Sequence, residues 1–89
     1  MTKTVTVTST VDVTVDETKF TPEFLQEFRD NFYSLETIDD HIESLARQRV
    51  VGDIEASRYN KVEFIEGYGF ASDMGIILSE PSLDSEIEQ

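Results

Sequence analysis

The segment TVTVTSTVDVTVDET, residues 4–18, decides how the chain is read. Val5, Val7, Val11, Val13 and Val15 hold odd positions with only Ser9 interrupting, while Thr4, Thr6, Thr8, Thr10, Asp12, Thr14 and Asp16 hold the even ones. Alternation of period two sends each kind of residue to its own face of a pleated strand, and β-branched side chains favour that geometry. The segment therefore reads as a β-strand with a dry valine face and a wet threonine and aspartate face. Positions 4 to 15 would span roughly 40 Å, against ~5–6 residues for a typical strand, so a bend or bulge is expected near Ser9. No Asn-Gly or Asp-Gly interrupts the run, which argues against a hairpin.

The period changes at FTPEFLQEFRDNFY, residues 20–33. Thr21 suits an N-cap, Pro22 suits the first helical position, and Phe20 with Leu25 stand where a hydrophobic staple belongs. The spacing predicts a helix from 22 to about 33, with Phe24, Leu25, Phe28 and Phe32 on one stripe and Glu23, Glu27 and Asp30 almost opposite. A second start follows at Thr37, with Asp40 three residues on as in a capping box. That helix should run from 38 to about 51, burying Ile38, Ile42, Leu45 and Ala46, with Gly52 as its C′ residue. Asp39 and Asp40 suit its N-terminal dipole, and Arg47 and Arg49 its C-terminal one.

Residues 53–60 carry little pattern and read as loop. Beyond them Val62 and Phe64 alternate, Gly67-Tyr68-Gly69 reads as a turn, and a further strand passes through Met74, Ile76 and Leu78. Pro81 shifts the parity and implies an edge or a bulge. The acidic tail, residues 80–89, then either pairs at a sheet edge or frays. The order is strand, helix, helix, strand. It predicts an α+β fold in one domain spanning 1–89, two helices packed on a small antiparallel sheet made by a long N-terminal strand and a C-terminal strand.

Composition narrows the function. The chain has 89 residues, no cysteine, and 19 Asp and Glu against 7 Lys and Arg, for a net charge of −12. Absence of cysteine removes disulfides, thiolate nucleophiles and Cys-based zinc sites. No run approaches the ~18 apolar residues of a membrane span, and the polar N-terminus lacks the apolar run of a signal peptide. A cytoplasmic location is expected. Arg47, Arg49, Arg58 and Lys61 make residues 47–61 net positive, leaving −14 on the other 74 residues. Such a surface repels nucleic acid and anionic lipid and attracts basic surfaces.

Sites for chemistry are scarce. The one histidine, His41, lies in DDHIE, but helical neighbours point about 100° apart, so Asp39, Asp40 and His41 do not converge on a metal ion. A capping aspartate and a boundary histidine account for them. The glycines of EGYGF are flanked by Glu66 and Asp73 rather than by the basic residue a phosphate cradle needs. Serines have no histidine and acid placed to activate them. Carboxylate pairs are unavoidable among so many acids. Neither enzyme activity nor any cofactor or metal is expected. The phenylalanines 20, 24, 28, 32, 64 and 70 read as core, because base-stacking aromatics are interleaved with basic residues.

FTPEFLQEFRDNFY, DDHIESLA and FIEGYGFASDMGI together resemble small proteins encoded by bacteriophages and prophages, over roughly residues 5 to 78. In size, acidity and lack of a catalytic motif the chain also looks like anti-CRISPR proteins, many of which occlude basic nucleic-acid channels of Cas complexes. No functional motif of such proteins carries over to a residue here. What the resemblance implies is a phage-encoded inhibitor in the host cytoplasm whose acidic surface acts as a DNA mimic. Its partner would be a protein with a basic nucleic-acid-binding surface, a Cas complex among the candidates. The residues expected to make the contact are Glu23, Glu27, Asp30, Glu36, Asp39, Asp40 and Glu43, with an exposed Tyr33 or Tyr68 as apolar anchor. Two other roles fit the sequence: a homo-oligomeric accessory protein of a phage-like element, dimerising through its sheet edges, and an antitoxin masking a basic toxin.

Overall fold

The opening alternation does form a strand, and its partner is the acidic tail. In the computed structural model, which describes residues 1–88, β1 (Val5–Thr10) pairs antiparallel with β6 (Ser82–Ile87), from Val5 opposite Ile87 to Thr10 opposite Ser82. The Glu88 amide donates to Thr4 O at 2.8 Å and extends the ribbon by one step. Of the two alternatives for the tail, pairing is the outcome; Gln89, its last residue, lies outside the described residues. Further along, β2 (Val13–Thr14) pairs with β5 (Ile77–Leu78), Val13 opposite Leu78.

The two ladders are one ribbon interrupted by a bulge. Two residues, Val11 and Asp12, separate them on one strand and three, Ser79 to Pro81, on the other. The break thus lies two residues beyond the expected Ser9, and Pro81 is its cause, since a proline has no amide to give to a ladder. Ser79 stitches the gap: its amide donates to Asp12 O at 3.0 Å and its hydroxyl accepts from the Asp12 amide at 2.8 Å.

The helices begin where their caps dictate. Thr21 Oγ1 accepts from the Phe24 amide at 3.1 Å and Pro22 opens α1 (Pro22–Asn31). Thr37 and Asp40 close a reciprocal capping box on α2 (Ile38–Val50). Gly52, at φ 85°, turns the chain out of it. α1 stops two residues short of the expected end, because Phe32 leaves helical geometry at φ −130°, ψ −96° and stacks its ring 5.0 Å from that of Phe28.

Between α2 and β5 the chain makes a hairpin of β3 (Phe64–Ile65) and β4 (Gly69–Phe70), then a short 3-10 turn, Ala71–Met74. The core draws mostly on this part of the chain. Ile54, Ala56, Ile65, Tyr68, Ala71, Met74, Ile76 and Leu78 are buried there, joined by Phe20, Phe28 and Leu45. Val11, Val13 and Val15 pack against that core, whereas Val5 and Val7, on the same face, are 50% and 58% exposed. Half of the valine face is therefore a floor for the helices and half projects beyond them. The molecule measures 52 × 29 × 18 Å, with a radius of gyration of 15.4 Å against about 12 Å for a compact chain of this length.

Of the six phenylalanines expected in the core, Phe20 and Phe28 are buried, Phe24 is half-buried, and Phe32, Phe64 and Phe70 are exposed. Phe64 and Phe70 face each other across the hairpin, ring centroids 5.7 Å apart, on its wet side. No helix among the described residues is long and apolar enough to cross a membrane.

Candidate interaction surface

α1 and α2 meet through rings. His41 of α2 is wholly buried and lies edge-to-face against Phe28 at 4.6 Å, with Phe24 and Phe20 at 5.9 and 5.7 Å. Its Nδ1 stands 2.6 Å from the Tyr68 hydroxyl, and its Nε2 has no hydrogen-bond partner. The expected boundary histidine is therefore a core residue. Burial lowers its pKa, helped by Arg29 and opposed by Asp40, so the ring is held neutral. Tyr68, expected as an exposed anchor, is 6% exposed, and burial raises its pKa. Tyr33, the other residue expected as an anchor, is 63% exposed.

With the apolar sides turned inward, the acids of both helices face water. Glu23 and Glu27 are exposed on α1 and no described side chain or backbone group bonds their carboxylates. Asp30 is also exposed and accepts from Gln26 Nε2 at 2.9 Å, a neutral contact that leaves its charge uncompensated. Glu36 and Asp39 are exposed around the first turn of α2.

The remaining two expected contacts are otherwise engaged. Asp40 Oδ2 accepts the amides of Glu36 and Thr37 at 3.1 and 3.2 Å, and these bonds lower its pKa. Glu43 Oε1 lies 2.6 Å from Arg47 Nη2, one helical turn on. Five of the seven acids are thus free to meet a partner, whereas Asp40 holds the helix start and Glu43 is neutralised. Among the described residues that pair is the single salt bridge, so nearly all of the acidic charge is uncompensated by nearby base.

Two features of the surface escape a sequence reading. Phe24, Phe28 and Phe32 line an open cleft of about 470 Å³ with Glu27, Asn31 and Gly67, which sets exposed aromatic surface beside an acid. The irregular loop before the hairpin is held by Glu63, whose carboxylate accepts the Ala56 amide at 2.8 Å, the Glu55 amide at 3.1 Å and Asn60 Nδ2 at 3.1 Å. The alternation of Val62 and Phe64 pointed the other way: both are exposed, at 74% and 65%, and Glu63 between them is the residue turned toward the loop. Among the described residues no three of His, Asp and Glu are grouped to hold a metal ion. No family model, curated protein or solved structure matches the chain.

Proposed function

We propose that this chain is a non-enzymatic interaction protein that occupies a basic nucleic-acid-binding surface of another protein, its carboxylates taking the places of phosphates. The observation that carries this is the lack of internal compensation: of 19 acids, one is paired with a base among the described residues. An acidic protein that used charge only internally would have matched its acids with bases. Here Glu23, Glu27, Glu36 and Asp39 are left to water or to a cationic partner, Phe32 supplies exposed aromatic surface in the cleft it shares with Glu27, and Tyr33 is exposed as well. Charge gives fast, salt-sensitive association, and a desolvated aromatic anchor gives residence time.

Charge spacing sharpens the kind of surface. Twelve net charges over the 52 Å long axis is one per roughly 4 Å, against ~1.7 Å for duplex DNA and ~3.4 Å for one strand. That average is nearer to a single strand than to a duplex, so a groove that tracks one backbone is the first target to test. A Cas complex that holds guide or displaced strand in such a groove is the candidate that the phage-like character of the sequence suggests, and the host cytoplasm is where the two would meet.

The test is displacement of labelled single-stranded and duplex DNA from purified CRISPR effector complexes, followed by anisotropy at rising salt. At least one effector should lose DNA to this chain, less so at high salt. The variant Glu23→Lys, Glu27→Lys, Glu36→Lys and Asp39→Lys should lose the displacement while keeping its helix signal, because it spares the Asp40 cap and the Glu43 pair. Equal displacement by the variant, or none from any effector by the parent chain, would overturn the proposal.

A further inference from the structure

The valine face of the ribbon takes no part in the acidic surface. Val5, Val7, Leu83 and Ile87 share one side of the β1–β6 ladder and are 50, 58, 71 and 49% exposed. At its base the same face passes Ser9 and Val11 into an open apolar groove of about 390 Å³, walled by Ala46, Val50 and Val51 at the C-terminal end of α2. The charged residues lining that groove are Glu43 and Arg47, which neutralise each other. A continuous apolar track thus runs from ribbon tip to helix end. A two-stranded ribbon with neither a third strand nor a covering layer is marginal in water, and an apolar patch of a few hundred Å² marks an interaction site.

We infer that a second copy of this chain covers the track, the ribbon of each copy lying along the groove of the other about a two-fold axis. Charge favours a second copy over a basic partner. The face of the β1–β6 ladder that carries Val5, Val7, Ser9, Leu83, Ser85 and Ile87 has no charged side chain, Asp84 and Glu86 standing on the opposite face, and the groove is neutral, so here two copies meet without opposing like charges. A basic partner drawn by the rest of the surface finds nothing to pair with on this track. Shape agrees. Ribbon and groove lie end to end on one face, so an antiparallel two-fold sets each ribbon tip over the other copy's groove and satisfies both at once, as a self-complementary interface must. The arrangement adds buried apolar surface to the small core of an 89-residue chain, to which oligomerisation is a usual supplement.

The experiment is equilibrium sedimentation of the full chain from low micromolar concentration upward, at low and high salt. A mass of twice 10.1 kDa is expected, retained at high salt because the contact is apolar. Val7→Asp with Leu83→Asp should reduce it to the one-copy mass while the helix signal of the body is kept, since neither side chain reaches the core. The arrangement is read by mixing a Val5→Cys chain with a Val51→Cys chain under oxidation, which should give a cross-linked pair absent from either chain alone. Each variant chain carries one cysteine and the parent chain none, so no disulfide can form within a copy. A one-copy mass at every concentration would overturn the inference and leave the track to a foreign partner. A two-copy mass kept by the double aspartate variant, or a dimer that gives no mixed cross-link, would place the contact elsewhere and overturn it equally. The four acids changed in the displacement test lie outside this track, so either proposal can fail while the other stands.

Discussion

The body of the molecule and its ribbon share one strand and differ in almost everything else. Below the bulge, Val11, Val13 and Val15 lie against a core in which Leu45, Ala56 and Ala71 have no exposure. Above it, every residue of β6 is exposed and only Ser9 of β1 is half-buried. The residue types hardly change across that boundary; what changes is whether a second layer covers the valines. A period-two pattern therefore specifies a strand and its faces, but not what packs on them.

Substitutions should expose the contrast, and the largest effect belongs to the body. Leu45→Ala empties a site of zero exposure beneath α2 and should cost about 2–5 kcal/mol in urea unfolding. Gly67→Ala should follow at about 1–3 kcal/mol, because Gly67 has φ +90° and an added Cβ would run into the Phe28 ring. Its neighbour in the same turn is the control: Gly69 has φ +83° but open space around it, so Gly69→Ala should cost only the backbone term, about 1 kcal/mol. Equal costs at the two glycines would show that Phe28 is free to move, and that the helix-to-hairpin contact is softer than its burial implies.

These sites also show how far the sequence was legible. Both helices were readable because their signals are local: Thr21, Pro22, Thr37 and Asp40 act within one turn of themselves. The core was not, since most of it lies between Ile54 and Leu78 in strands of two residues and tight turns, where no period has room to repeat. Gly67 marked a turn without revealing that Phe28 packs on it. For the surface, five of seven acids were readable as free. Asp40 was readable as a cap from the same capping-box pattern that placed α2, and a group that accepts two amides has little left for a partner. His41 was misplaced because its burial depends on Tyr68, 27 residues away.

Acidity gives a subtler probe of the body. Burial sets the folded pKa of His41 below its ordinary value of 6.5. As pH falls through 6.5 the unfolded chain takes up a proton that the folded chain refuses, so stability should decline from there down to the folded pKa and then level off. Asp16 and Asp40, held below 3.8 by the amide and hydroxyl of Thr18 and by the amides of Glu36 and Thr37, contribute stability that is present above 3.8 and lost in stronger acid. Two separate declines are therefore expected in urea midpoints measured against pH. His41→Gln, which retains an acceptor for the Tyr68 hydroxyl, should remove the first and leave the second. A first decline that survives this change would assign it to another group.

The smallest effect is expected on the wet face of the ribbon, and it tests the boundary most directly. Thr8 lies opposite Asp84 in the ladder, and both are exposed. Thr8→Ala removes no buried contact and only some strand propensity, so unfolding of the body should change by less than about 0.5 kcal/mol. The same substitution at Thr14, opposite Ile77 below the bulge, perturbs a ladder whose other face lies on the core and should cost more. If Thr8→Ala cost as much as Thr14→Ala, the ribbon would be unfolding together with the body. The bulge at Ser79–Pro81 would then transmit stability instead of marking where it ends. A ribbon coupled in that way would need a covering layer even in the single copy, which makes the paired measurement at Thr8 and Thr14 informative about the second copy as well as about the fold.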